Sequence, residues 1–220
     1  MSRALAALPF ARLEAMALAG HELIRAERAL SRLGFNVVAR LLRDEGTFYE
    51  WDHYPAGDVY DPVSGAQYFY HAHGAAARQA GEHGHFHCFL RRSETALLHH
   101  LVAVAMDDRG RPARLFTVNR WVTEDSWIDA ASAIRLLDRF HLDLPNPSRW
   151  VNRWLQALLL LFRPEIEALL RRRDVRLAEW RRHHRGVDAL AARELDTLSE
   201  TAVSVDSRID ELRSALARID

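Results

Sequence analysis

The chain has 220 residues, of which 30 are basic and 30 acidic, so its formal net charge is zero. This balance argues against a general nucleic-acid binder, which usually carries a basic excess. The single cysteine, Cys88, cannot form a disulfide within the chain, and the longest apolar run, 155–162, is far shorter than the roughly 20 residues that cross a bilayer. We therefore expect a cytoplasmic protein that has neither a signal peptide nor a membrane partner.

The N-terminal region has the apolar spacing of helices. The pattern predicts a first helix over about 13–33, which Gly34 ends, and a short second helix over 36–43 with Asn36 as its N-cap.

The central region is rich in aromatic and β-branched residues, which favour strands. Five segments fit this description: "TFYEWDHYP", "AQYFYHAH", "EHGHFHCFLR", "ALLHHLVAVAM" and "ARLFTVNRWVT". Their short connections predict an antiparallel β-meander of about five strands. "GDVYDPVSG", between the first two segments, is interpreted as a turn system.

After Trp127 the spacing becomes helical again, and Pro164 is predicted to end one helix before another begins. The fold class is therefore α+β, with N-terminal helices, an antiparallel sheet and a C-terminal helical region. We divide the chain into an α+β domain over 1–163 and a C-terminal helical hairpin over 164–220, packed as part of the same unit.

The hairpin prediction rests on apolar residues that alternate spacings of three and four, as in a coiled-coil heptad. These residues are Leu195, Leu198, Ala202, Val205, Ile209, Leu212, Leu216 and Ile219. Two interpretations remain open: the hairpin packs on the sheet, or it projects and forms a homodimer through the C-terminal helices.

Histidines alternate along two neighbouring predicted strands, in "HAHGAAARQAGEHGHFHCF". Alternate side chains of a strand share a face, so His71 and His73 share one face of their strand, and His83, His85 and His87 share one face of the next. If His73 pairs with His83, His71 lies opposite His85. Imidazoles at such positions can converge on a metal ion at about 2.0–2.1 Å.

Carboxylates near this row are candidates for a general base or a supporting group. Glu50 and Asp52 lie on the preceding predicted strand. Glu82 directly precedes the row but should point to the opposite face. Each of the three is also compatible with a solvated or hydrogen-bonded acid.

The ligand types favour a divalent metal ion, zinc or iron above all, over a thiolate site, because Cys88 should face away from the histidines. Two alternatives need no metal: a row of imidazoles on the wet face of the sheet, or a polar network that binds an anion or small polar ligand.

The chain resembles a bacterial family of domains of unknown function. The likeness is carried by "GTFYEWDHYPAGDVYD", "SGAQYFYHAH", "EHGHFHCFLR", "RLFTVNRWVT", "VNRWLQALLLLFRPEIEALL" and "SVDSRI", and runs from about Leu33 onward. The resemblance implies one unit with an EHGHFHxF motif, and it supplies neither a ligand nor a reaction.

Two functions remain open at this point. The first is a metal-binding protein acting as a hydrolytic or oxidative enzyme on a small-molecule substrate. The second is a non-catalytic protein that binds a small ligand or assembles into oligomers without a metal.

Overall fold

The computed structural model describes residues 5, 7–74, 79–91 and 96–218 and shows an α+β fold. The helices are α1 (Phe10–Arg32), α2 (Val37–Leu42), α3 (Arg120–Thr123), α4 (Ala130–Leu137), α5 (Arg149–Leu161), α6 (Arg163–His183) and α7 (Val205–Leu216). The strands are β1 (Tyr54–Tyr60), β2 (Ala66–His71), β3 (Glu82–Leu90), β4 (His99–Asp107), β5 (Pro112–Val118) and β6 (Thr197–Ala202). Among the described helices, none is both long and apolar enough to span a membrane.

The six strands form one sheet in the order β1-β2-β3-β4-β5-β6, and each is antiparallel to its neighbours. The predicted α+β class and antiparallel meander are therefore confirmed, with six strands in place of about five. Because hairpin connections link β1 to β5 in sequence order, the two histidine-bearing segments become adjacent strands.

One face of the sheet, called here the helix face, packs against the helices. Tyr68, Phe86 and Trp154 are fully buried there. The Tyr68 hydroxyl donates a hydrogen bond of 2.6 Å to the Asn152 side chain on α5. Cys88 is buried in the same core, so the prediction that it faces away from the histidines is confirmed.

The predicted end of the first helix and the predicted cap of the second are confirmed. Helix α1 ends at Arg32, and Gly34 follows with a φ of 80°. The Asn36 side chain accepts a hydrogen bond of 2.8 Å from the Ala39 amide, which caps α2 as predicted. These signals involve residues within a few positions of one another, so the tertiary structure has little influence on them.

The predicted C-terminal helical hairpin is wrong. Residues Thr197–Ala202 form β6, which pairs with β5, for example Thr117 with Ser199 and Leu115 with Thr201. The heptad is thus split between a strand and α7, which packs on α1. The backbone N–H and C=O groups along the open edge of β5 require hydrogen-bond partners. Pairing with β6 supplies them, and this outweighs an apolar spacing that also fits a helix. A homodimer through the C-terminal helices stays a prediction. The continuous apolar seam on which it was based is interrupted by β6.

The predicted position of the first strand is also wrong. Strand β1 begins at Tyr54, so most of "TFYEWDHYP" precedes it and "GDVY" lies within it. The register between β1 and β2 shifts within Tyr54–Val59, where Gly57 and Asp58 have positive φ values of 82° and 60°. This irregularity removes the two-residue alternation by which a strand is recognised. The predicted turn is present at Asp61, whose carboxylate accepts hydrogen bonds from the backbone amides of Val63 and Ser64.

Candidate metal centre

Strands β2 and β3 bring three histidines together on the sheet face opposite the helix face. His71 pairs directly with His85, and Phe69 pairs with His87, which is the predicted register. One ring nitrogen from each of His71, His85 and His87 lies within 4.8 Å of the other two. These three residues are called the histidine triad below.

The triad has nearly the spacing that a metal ion requires. Ring centroids are 4.5 Å apart for His71–His85, 5.1 Å for His71–His87 and 4.8 Å for His85–His87. The Nε2 atoms of His71 and His85 are 2.7 Å apart, a hydrogen-bond distance. Ligand nitrogens around a tetrahedral zinc ion are about 3.3 Å apart, since each lies about 2.0–2.1 Å from the metal. Binding a zinc ion would therefore require the Nε2 atoms of His71 and His85 to move apart by about 0.6 Å.

Glu82 orients His85, although the sequence placed it on the opposite face. Its Oε1 lies 2.8 Å from Nδ1 of His85. The register of β3 against β4 shifts between Glu82 and Gly84, so β3 contains one extra residue, His83, and the alternation of faces is reset. A carboxylate on Nδ1 directs the lone pair of Nε2 toward a metal and makes the imidazole a better ligand.

The same bulge explains why His83 leaves the row. Its Nδ1 lies 2.7 Å from the hydroxyl of Tyr70, which packs against Phe86 on the helix face. The expectation that His83 shares a face with His85 and His87 is therefore wrong.

Arg114 links Glu82 to β6 and completes an ion-pair chain. Its guanidinium donates to Glu82 at 2.9 Å and to Glu200 at 2.8 Å. Burial disfavours the ionised form of Glu82, but hydrogen bonds from His85 and Arg114 outweigh it and lower the pKa of Glu82. The carboxylate is thus held in the charged form, which accepts a hydrogen bond from His85. Gln79, which precedes β3, donates a hydrogen bond of 3.3 Å to Glu200.

His100 supports His87 from β4, a role that the sequence analysis missed. Its Nε2 lies 3.0 Å from Nδ1 of His87. A register shift between Cys88 and Phe89 inserts an extra residue, Leu101, into β4 and turns His100 toward the triad. The nearby run of "HH" in an apolar strand was the available signal, but its face depends on this second bulge.

Burial and repulsion between neighbouring rings disfavour the charged forms of His71, His87 and His100. Desolvation, reinforced by the neighbouring histidines, lowers the pKa of His71 to about 2 and holds that of His87 well below its usual value. Burial likewise lowers the pKa of His100 to about 4, against the opposing effect of Asp125. Neutral imidazole is the form that binds metal ions.

Two further histidines form the more exposed rim of the site. The ring of His73 lies 4.9 Å from that of His71 and stacks on Trp51. His53 stacks on Phe69 with centroids 3.6 Å apart and meets Asp58 through Nδ1 at 3.1 Å. His85 and His87 are buried, whereas His71, His73 and His53 are not fully so. The more exposed part of the site therefore lies on its β1–β2 side.

The other two carboxylate candidates lie outside the triad. Glu50 and Asp52 are exposed and precede β1. The expectation that they lie on a strand is therefore wrong. The Glu50 carboxylate lies close to Gly74, since a Cβ placed on that glycine would be 3.2 Å from Oε2. Neither residue belongs to the group of side chains that can share one ion among the described residues.

No curated protein and no solved structure matches the chain. One family model does, described as a domain of unknown function (DUF6969), and it covers residues 17–203. The match spans all six strands and both halves of the histidine site, and it extends over far more than half of the sequence. The chain therefore belongs to this family of domains of unknown function.

Proposed function

We propose that this protein binds a divalent transition-metal ion through His71, His85 and His87. The observation that carries the proposal is the convergence of three imidazoles, each with a ring nitrogen within 4.8 Å of the others. The Glu82–His85 and His100–His87 contacts support it, since metal-binding histidines usually engage a second group through the other ring nitrogen.

The donor set favours zinc or ferrous iron. Imidazole suits both ions, and Cys88 lies on the helix face, where it cannot supply a thiolate to the triad. Elemental analysis of the protein as purified and after reconstitution identifies which of the two ions it binds.

Three protein ligands favour a reactive over a purely structural role. Structural zinc sites are usually closed by four protein ligands, whereas catalytic sites leave a position for water or substrate. A metal at the triad would activate water or oxygen for hydrolytic or oxidative chemistry on a small molecule. Access from the rim of His53 and His73 is consistent with this role.

A metal-free, non-catalytic binding site is the second candidate. The 2.7 Å contact between the Nε2 atoms of His71 and His85 favours it, because neutral imidazoles without a metal form such a hydrogen bond. In that case the cluster would bind a small polar ligand with its remaining ring nitrogens.

Metal content separates the two candidates. We expect purified or zinc-reconstituted protein to contain one metal ion per chain by elemental analysis. The double variant His85→Ala/His87→Ala should lose it, with an affinity loss beyond the 10–100-fold that losing a supporting contact typically costs. His21→Ala, which removes an exposed histidine of α1, is the matched control and should keep the metal. Equal metal content in the double variant and the control, with both folded by circular dichroism, would refute the proposal.

A further inference from the structure

His73 lies as close to His71 and His85 as the triad members lie to one another. Its ring centroid is 4.9 Å from that of His71 and 5.0 Å from that of His85. The separations within the triad run from 4.5 to 5.1 Å. His73 also lies two residues beyond the end of β2 and precedes Gly74, so the strand's pairing does not fix its side chain.

Trp51 occupies the face of His73. The two rings stack with centroids 4.4 Å apart and an angle of 14° between their planes. The indole remains 61% exposed, so burial in the core does not hold it in place. The Trp51 amide donates to the carbonyl of Ala72 at 2.8 Å, which ties this loop to the residue before His73.

The backbone of Trp51 indicates that this stacking is built in. Its φ is 74°, in the left-handed region that bulky residues rarely adopt. Such a conformation is unfavourable for a bulky residue and persists only where surrounding contacts enforce it. Here the contacts that accompany it are the bond to Ala72 and the stack on His73.

We infer that His73 is an exchangeable fourth metal ligand and that Trp51 holds it away from the metal. The inference rests on the proposed function and adds control over the open coordination position. While His73 stacks on Trp51, water or a small anion fills that position. When His73 leaves the indole, a ring-nitrogen lone pair forms a metal–nitrogen bond. The water or anion then departs with its own electron pair, and no proton is transferred when it is water.

The stack has the strength needed to set this balance without locking it. Aromatic pairs of this kind shift an equilibrium by about two- to ten-fold. Removing the indole should therefore raise the ratio of the four-histidine form to the three-histidine form by about that factor. Where the four-histidine form predominates, binding of a competing anion weakens by the same factor.

Azide binding to the cobalt-loaded protein tests this directly. Cobalt(II) reports its coordination in visible absorption, and X-ray absorption counts the imidazoles. Three variants are compared with the wild type: Trp51→Ala, Trp51→Phe, which keeps an aromatic face, and the double variant Trp51→Ala/His73→Ala. We expect Trp51→Ala to gain an imidazole and to bind azide about two- to ten-fold more weakly. Trp51→Phe should stay near the wild type.

The double variant decides the cause of any loss. Azide affinity that returns to the wild-type value when His73 is also removed shows that His73 was the competitor. Affinity that stays low would mean that the indole itself contacts the anion, and unchanged affinity in Trp51→Ala would mean that the stack controls nothing. Either result overturns the inference while leaving the metal site intact. A wild-type protein that takes up no cobalt would overturn the proposed function as well.

Discussion

At the scale of single residues, Glu82 and His100 determine which nitrogen of each buried imidazole can meet a metal. Glu82 accepts a hydrogen bond from Nδ1–H of His85, and the lone pair on Nε2 then points into the triad. His100 plays the equivalent part for His87, with Nε2 at 3.0 Å from Nδ1. The triad is thus oriented by two groups that do not belong to it.

We predict that Glu82→Gln weakens zinc binding about 10- to 100-fold, because the neutral amide is a weaker acceptor for His85 and loses the charge that Arg114 stabilises. Competition with a chelator measures the affinity. Glu200→Gln is the matched control, since Glu200 touches Arg114 but is 49% exposed at the side chain and does not contact His85. Equal affinity in the two variants would show that Glu82 has no such role.

At the scale of elements, the two bulges shape the site. The extra residue in β3 turns Glu82 toward the triad and His83 away from it, and the extra residue in β4 brings in His100. Strands β2 and β3 approach closely at Gly84, where an added Cβ would lie 2.5 Å from the carbonyl oxygen of His71 and 2.7 Å from the Tyr70 hydroxyl. Glycine at this position lets the two histidine strands pair beside the bulge.

Gly84→Ala should therefore push β3 away from β2, lower the free energy of unfolding by about 1–3 kcal/mol and weaken metal binding. Urea denaturation and zinc titration measure the two effects. Gly20→Ala is the control: its Cβ would meet Ile209 at an ordinary 3.5 Å, and alanine favours the helix, so stability should not fall. A stable Gly84→Ala variant with wild-type affinity would contradict the close-approach argument.

For the molecule as a whole, folding buries several histidine rings on the sheet. The free energy of unfolding therefore depends on pH. The pKa of His100 falls to about 4 and that of His71 to about 2, from an ordinary value of 6.5 in the unfolded chain. The unfolded state therefore takes up protons first as pH falls. The stability of the metal-free protein should be constant above pH 6.5 and decline below it.

The decline should approach about 1.4 kcal/mol per pH unit for each buried histidine that stays neutral in the folded state. Urea denaturation of metal-free protein between pH 7.5 and 5 measures this slope. His100→Leu removes one such ring and should flatten the slope, whereas His21→Ala, at an exposed position, should not. The same slope in all three proteins would show that the buried histidines are not responsible.

The sequence alone was sufficient where the determining contacts are local. Asn36 caps α2, Gly34 follows α1, and the alternation of His71, His85 and His87 predicted their shared face. Family membership follows from the sequence too, since the family model covers residues 17–203. These features depend on neighbouring residues or on the two-residue repeat of a strand.

Only the tertiary structure decided where that repeat breaks and which distant groups meet. A bulge depends on how two strands twist and pair, so the sequence could not show that Glu82 faces His85 or that His100 faces His87. The C-terminal segment carries helical spacing at Leu195 and Leu198, yet the unpaired edge of β5 recruits it as β6. Backbone hydrogen bonding across the sheet outweighs local periodicity there, because a buried strand edge without partners costs more than a helix would gain.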